Sequence, residues 1–445
     1  MRRYSIFALM ALVAISCQQD FNEVANTAIE PNENSNPYAV SVEQALDRLY
    51  TELADIYGEG TRAANRSVKS VKTINAEDIA PATRSSENID ASELLYIVEF
   101  EDNQGSAILG ADVRVDEVFA ILDEDVISAE DFERAVSGED DGEIDTYLAG
   151  LIADEAMDML SGSITILPPI DHDRLVSYFE YVTVAQETSE HHMRTKWGQN
   201  SPYNSLCYNE NGVLCVAGCV TIAAAQLLLY NAEDEAEYLT INGDSFDIET
   251  LRLKSHNVEL TDIQANYVNN EVARYVYKLA EELDITLGPN TSTGSINNIT
   301  YLMNQLGYRG VFTYNSSSAE DMLDEVRTQL YVEHLPTVMR GEHLNATTGH
   351  AWVIDGYNYK KQDVYFCTRQ GLSVISREYV RQTESTKVHC NFGWTGKCDG
   401  YYTFGIFDVS TERSSENVIT DIGDRVGTNG NSVYDTDLKI IRYSL

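Results

Sequence analysis

The chain has 445 residues, 43% of them hydrophobic, and a formal net charge of −40 from 71 Asp and Glu against 31 Lys and Arg. That length exceeds the usual span of one domain, so two units are expected. A charge this negative argues against nucleic acid and against an anionic membrane surface as electrostatic partners.

The N-terminus opens with Met1-Arg2-Arg3, an apolar run from Ile6 to Ile15, and Ala14-Ile15-Ser16-Cys17. A basic start, a short apolar core and small residues before a cut predict a secretory signal over 1–16. The run is too short to span a bilayer. Its Ala-Ile-Ser-Cys end resembles a bacterial lipobox, which implies cleavage before Cys17 and acylation of that thiol. Gln18 after the cysteine is similar to the pattern sent to the outer membrane of Gram-negative cells. The expected location is extracytoplasmic, lipid-anchored at the outer membrane or cell surface, with release on maturation as a variant. The membrane is then engaged only through the lipid. An ordinary signal peptide is the alternative reading. Residues 17–40 lack periodicity and read as a lipidated flexible tether.

Apolar residues at three- and four-residue spacing predict a helix from Val42 onward. Residues 60–92 are polar and irregular and read as a loop. Residues 94–100 read as a strand, 105–112 as its hairpin partner and 118–122 as a third strand. Residues 145–160 read as a helix, and Pro168-Pro169 breaks the pattern. The result is a small α+β domain over 41–190. Asp123-Glu124-Asp125 lacks the glycine and bidentate glutamate of a calcium loop and reads as a solvated turn. The stretch 185–194 reads as a polar, exposed link, with His191-His192 solvated. Charge divides the chain similarly: residues 18–190 hold 39 acidic and 9 basic residues, a balance of −30, and 191–445 hold 32 and 20, a balance of −12.

The second unit spans 191–445. Helices are expected at 219–230, 262–283 and 319–331. Short strands follow at 336–339, 350–357, 364–368, 387–391, 401–406 and 438–443. Helices first and antiparallel strands later is an α+β order. Beyond Cys17, six cysteines remain: Cys207, Cys215, Cys219, Cys367, Cys390 and Cys398. Cys207 with Cys215, or Cys390 with Cys398, would close short disulfide loops, and the pairing stays open. No Cys-x-x-Cys pair argues for zinc.

Cys219 directly precedes a run rich in Ala and Leu, strong helix formers. A thiol at a helix N-terminus feels the positive end of the macrodipole, which favours the nucleophilic thiolate. The competing reading is a small buried hydrophobe. A thiol hydrolase also needs a base, a group that orients the base, and donors for the oxyanion. His350, behind Gly349 at the start of an apolar strand, is the candidate base. Asn391 is the candidate orienter, through its side-chain carbonyl. Gln199 is the candidate oxyanion donor, together with the Cys219 backbone N–H. Each residue alone has an ordinary structural explanation; the order Gln, Cys, His, Asn matches what the chemistry demands.

Four motifs in combination resemble the streptopain family of bacterial papain-like cysteine peptidases. They are Trp197-Gly198-Gln199 with Pro202-Tyr203-Asn204, Gly218-Cys219-Val220 with Ala225-Gln226, Gly349-His350-Ala351 with Val353-Ile354-Asp355-Gly356, and Asn391 with Gly393-Trp394 and Asp399-Gly400. In the front half, Tyr96-Ile97-Val98-Glu99-Phe100 and Gly105-Ser106-Ala107-Ile108-Leu109-Gly110-Ala111-Asp112 are similar to paired strands of the family's propeptide. The resemblance implies an α+β fold: a papain-like peptidase domain at 191–445 behind a small α+β inhibitory propeptide at 41–190. It implies endopeptidase activity on protein or peptide substrates, with Cys219, His350, Asn391 and Gln199 catalytic and Trp394 and Gly349 supporting. It also implies no metal, no cofactor, a zymogen opened by an activating protease, and often a hydrophobic residue at the second position before the cut.

Two features depart from the family pattern. Phe392 stands where Trp is usual. The stretch between His350 and Asn391 is long and carries Arg369, Arg377 and Arg381. The main alternative is therefore a catalytically inactive papain-like surface lipoprotein that binds a partner. A papain-like amidase or transpeptidase is another. Gly243-Asp244-Ser245 resembles the nucleophile block of GDS-type lipases, but no downstream Asp-x-x-His accompanies it.

Overall fold

The computed structural model describes residues 38–79, 93–137, 144–162, 176–232, 236–255, 260–316, 319–342, 349–370, 373–407 and 438–445. The expected signal peptide, Cys17, nearly all of the tether and Pro168-Pro169 lie outside them.

Helix α1 (Val42–Tyr57) begins at a capping box between Ser41 and Gln44 and buries the stripe Ala45, Leu49, Leu53 and Ile56. Where a loop was expected, β1 (Val68–Asn75) and the short α2 (Ala76–Ile79) appear. The strand carries little apolar periodicity because it is a largely exposed edge, held by its ladder to β2 (Glu93–Phe100). Strands β3 (Ser106–Gly110) and β4 (Val118–Leu122) complete an antiparallel meander. Helices α3 (Ala129–Ser137) and α4 (Ile144–Gly162) follow.

The first half of the expected exposed link, residues 185–189, is instead the end of a strand, β5 (Val176–Ser189). Its polar residues conceal a ladder partner more than 150 positions away. Helix α5 (Cys219–Tyr230) has the predicted bounds. A small hairpin of β6 (Tyr238–Ile241) and β7 (Asp244–Asp247) leads to α6 (Ile248–Leu253), α7 (Asp262–Glu282) and α8 (Ile296–Gln305). Then come β8 (Arg309–Ser316), α9 (Ala319–Arg327) and β9 (Thr337–Glu342). Two strands expected at 350–357 and 364–368 are one continuous strand, β10 (Gly349–Gln370). It pairs with β11 (Ser373–Asn391) in a long hairpin that carries the inserted Arg369, Arg377 and Arg381. Strands β12 (Gly400–Thr403) and β13 (Leu438–Ser444) close the chain.

One antiparallel sheet runs in the order β1-β2-β3-β4-β12-β11-β10-β9-β13-β8, with β5 added onto β10. Its continuity crosses from the front half to the back at β4 and β12, where Ile121 lies opposite Tyr401. The core is shared in the same way. The apolar residues of α4, including Leu148, Ile152 and Ala156, fall in one buried cluster with Trp352, Phe392 and Phe407 of the back half. A second cluster surrounds α5, with side chains from α7, α8, β9 and β10. The described residues belong to one compact unit. No described helix is long and apolar enough to cross a membrane.

A buried ionic seam also joins the halves. Glu52 of α1 accepts from Lys360 Nζ at 2.6 Å and Lys387 Nζ at 3.1 Å, and Asn358 Nδ2 donates to it at 3.0 Å. The six described cysteines are free thiols, so neither expected short disulfide is formed.

Candidate active site

Cys219 opens α5, with Gly218 as its N-cap at φ +89°, a left-handed conformation that favours glycine. The helix behind it is buried on all sides from Val220 to Leu229. Its first residue, Cys219, and its last, Tyr230, are partly exposed. The Ala217 N–H donates to the Gln199 carbonyl at 2.9 Å, so the loop bearing Gln199 is anchored two residues from the thiol. Burial pushes the Cys219 thiol above its usual pKa. The Ala351 backbone, the Arg340 charge and the backbone amides at the helix start oppose that rise.

His350 lies at the start of β10, opposite Gly341 of β9. A Cβ on Gly349 would stand 2.4 Å from the Gly341 carbonyl oxygen, so only glycine permits this approach. Ala351, the residue after His350, is the one whose backbone hydrogen-bonds the Cys219 thiol. The candidate nucleophile and the candidate base thus lie at one helix end and one strand end. The His350 ring stacks on Trp394, with centroids 4.3 Å apart and planes inclined by 20°. Burial drives its pKa down to about 4, against the opposing effect of the Phe392 carbonyl.

That carbonyl lies 3.0 Å from His350 Nε2. A carbonyl only accepts, so Nε2 carries the hydrogen and Nδ1 holds the basic lone pair. The ring is therefore oriented by a backbone group, not by the Asn391 side chain. Asn391 Nδ2 donates to the Thr195 carbonyl at 2.6 Å. Its Oδ1 accepts from Gln226 Nε2 at 3.0 Å and from the Gly393 N–H at 3.2 Å. The reason is geometric: at the end of β11 the Asn391 side chain projects towards Gln226 of α5, and the next backbone carbonyl meets the ring. Phe392 supplies that carbonyl whatever its side chain, so its departure from the family pattern leaves the contact intact.

Gln226 and Asp399 belong to the sequence motifs, but the sequence alone gives neither a role. Gln226 also accepts the Trp197 N–H at 3.1 Å, and a single glutamine inside an otherwise apolar helix was the available signal. Asp399 accepts the Phe392 N–H at 3.0 Å and so holds the residue whose carbonyl meets His350 from its N-terminal side. Burial pushes its pKa up to about 8. The loop 197–199 is clipped to the same region, through a bridge between Gly198 and Trp394 and a bond from the Thr395 N–H to the Trp197 carbonyl at 3.0 Å.

Residues 197–402 match the model of the Peptidase C10 family. Over that span the chain belongs to the C10, or streptopain, family of cysteine peptidases. No curated protein matches the chain. Among solved structures it is similar to a prointerpain A fragment from Prevotella intermedia, at 17% identity and a TM-score of 0.49, covering 78% of this chain and 95% of that one. It is also similar to active wild-type interpain A cysteine protease from Prevotella intermedia, at 20% identity and a TM-score of 0.37, covering 57% of this chain and 94% of that one.

Beside the C10 candidate site, two further readings need correction. The acidic turn 123–125 is not merely solvated. Asp123 Oδ2 lies 3.3 Å from His389 Nε2, Glu124 pairs with Lys196 at 2.7 Å, and Asp125 accepts the Cys398 N–H at 2.7 Å. His191 is not a free linker residue either. Its Nε2 lies 3.0 Å from Asp355 Oδ2, and its ring stacks on His389 with centroids 3.7 Å apart. Burial alone would lower the His389 pKa, but Asp355 and Asp123 raise it to about 10. Local sequence pointed to exposure; the partners lie far along the chain, as with His191 and Asp355 or Asp123 and His389.

Proposed function

We propose that this cysteine peptidase is an endopeptidase made as a zymogen, with Cys219 as nucleophile and His350 as base. The observation that carries this reading is the meeting of the α5 N-terminus with the β10 start, with His350 Nδ1 left as the lone pair by the Nε2 contact to Phe392. The thiol proton passes to Nδ1, and the thiolate attacks the peptide carbonyl. The Gln199 amide and the Cys219 N–H hold the oxyanion. The imidazolium protonates the leaving amine, and water hydrolyses the acyl-enzyme. Asn391 positions the loop through Gln226, Gly393 and Thr195 rather than touching the ring. Protein or peptide substrates with a hydrophobic residue at the second position before the cut fit the family pattern.

Residues 41–190 act in this proposal as the inhibitory propeptide. Burial holds both the Cys219 thiol and the His350 ring towards their neutral forms, which keeps the pair latent. An activating protease removes the block. We put the first cut ahead of Val176, which would leave residues 176–190 paired on the enzyme; the ladder of β5 on β10 and the bond from the Met193 N–H to Asp355 support this reading. Lipidation at Cys17 anchors the precursor outside the cytoplasm, and the cut frees the peptidase from the membrane. The decisive experiment is Cys219→Ala in the activated protein. Peptide cleavage is abolished while the fold persists; full activity in that variant refutes the assignment.

A further inference from the structure

In the full chain the front half covers one face of the back half, and the ionic contacts across that face share one polarity. Lys360 Nζ meets Glu52 and Asp55 at 2.6 Å each, and Lys387 Nζ meets Glu52 at 3.1 Å. Lys196 Nζ meets Glu124 at 2.7 Å, and Lys397 Nζ meets Asp145 at 3.1 Å. In each pair the base belongs to the back half and the carboxylate to the front. We propose that, once the front segment is cut away, this face becomes an exosite that docks extended acidic segments of the peptidase's protein substrates. The proposal rests on the reading of the residues ahead of Val176 as a removable block.

The four lysines follow one strand. In the sheet, β12 lies between β11 and β4, so the loss of β4 opens its outer edge. An open edge accepts a further strand through main-chain hydrogen bonds. Lys397 precedes the start of β12 at Gly400, and the Lys196 side chain lies against Gly396. At the other end, Lys387 of β11 lies opposite Thr403, and Lys360 of β10 lies opposite Ser385. Glu384, the carboxylate next to Ser385, is held by Lys361 at 2.5 Å.

The present occupant shows what fits. The front half presents Asp116-Glu117-Val118-Phe119-Ala120-Ile121-Leu122-Asp123-Glu124-Asp125. Its apolar middle is β4, with Ala120 opposite Tyr402 and Leu122 opposite Gly400. At one end Asp116 accepts from the Thr403 hydroxyl at 2.7 Å. At the other, Glu124 reaches Lys196 and Asp125 accepts the Cys398 N–H. The matching guest is a short apolar strand with carboxylates at its ends. Residues 191–445 are acidic overall, at −12, so the attraction is local to this strip.

The strip runs up to the catalytic loops. Gly198 bridges to Trp394, the Lys397 N–H donates to the Trp394 carbonyl at 3.2 Å, and Trp394 stacks on His350. A segment docked on β12 binds alike before and during the reaction, so docking lowers KM and leaves kcat little changed.

The test uses enzyme activated by proteolysis of the full chain. Two fluorogenic peptides share one scissile sequence and one apolar strand, and differ only in Asp and Glu against Asn and Gln at the strand's ends. The acidic peptide should show a kcat/KM about tenfold higher, carried by KM, and the advantage should shrink as salt is raised. Lys196→Gln with Lys397→Gln should bring the ratio of the two kcat/KM values close to one, and so should Lys360→Gln with Lys387→Gln. Equal kcat/KM for both peptides in the parent enzyme, or an acidic preference that both double variants keep, overturns the exosite and leaves the peptidase reading standing. If neither peptide is cut, the peptidase reading fails, and fluorescence anisotropy of the labelled acidic peptide decides the exosite separately. Binding to the processed chain but not to the full chain supports it; binding to neither, or to both alike, overturns it.

Discussion

His350 Nε2 and the Phe392 carbonyl oxygen are 3.0 Å apart, so the ring takes its orientation from a peptide group whose own N–H, that of Gly393, donates to Asn391 Oδ1. Removing the Asn391 amide should therefore misplace the loop without removing the ring's acceptor. In the activated enzyme, Asn391→Ala is expected to lower kcat about 10²-fold, the cost of a small displacement of a reacting group. His350→Ala should cost roughly 10⁴-fold. Steady-state kinetics on one peptide substrate compares them; equal losses would mean that Asn391 contacts the ring during turnover.

Gln199 tests the oxyanion assignment. Its loop is tied to Ala217 and, through its neighbours, to Trp394 and Thr395. Gln199→Ala should reduce kcat by about 10²–10³-fold with little change in KM, because the donor acts mainly on the charge that develops in the transition state. A change confined to KM would assign Gln199 to substrate binding instead.

The full chain and the processed enzyme should differ in thiol reactivity. Burial raises the Cys219 pKa, so the thiolate appears only at higher pH in the full chain. Alkylation by iodoacetamide is expected to be slow at neutral pH and to quicken as the pH rises. After cleavage ahead of Val176 and loss of the front segment, the rate profile should move to lower pH. Superimposable profiles before and after cleavage would remove the latency argument.

The seam at Glu52 makes a stability prediction. Burial would raise this carboxyl, but Lys387 and Lys360 hold it down to about 2. A carboxyl depressed below its ordinary 4.5 stabilises the fold fully above that pH, and the contribution is lost as pH falls towards 2. Glu52→Gln leaves two lysines short of a buried partner and should cost about 3–5 kcal/mol at neutral pH. Melting curves of both proteins between pH 2 and 7 check this: the gap should hold above about pH 5 and close in acid. Asp116 and Glu117 are raised by burial and run with the opposite sign, so the difference between the two proteins is the informative quantity.

Much of the architecture is legible in local pattern. The bounds of α5 follow from its Ala- and Leu-rich run, and the β2–β3–β4 meander from apolar strands broken by turns. The polar strands β1 and β5 are not legible, because an edge strand needs only backbone partners and these leave no mark on side-chain periodicity. The hairpin of β10 and β11 is divided in the sequence by polar residues that the pairing tolerates.

The residue types at 199, 219, 350 and 391 point by themselves to a thiol chemistry, because a nucleophile and its base must be particular side chains at a helix end and a strand end. Which atom orients His350 was settled only by the folded chain, since a backbone carbonyl has no letter of its own. The same holds for Asp123, His191, His389 and Asp355, whose two carboxylates and two rings meet across 266 positions. Their charges look like surface polarity one by one. Long-range sheet pairing brings them together, and burial makes each depend on the others.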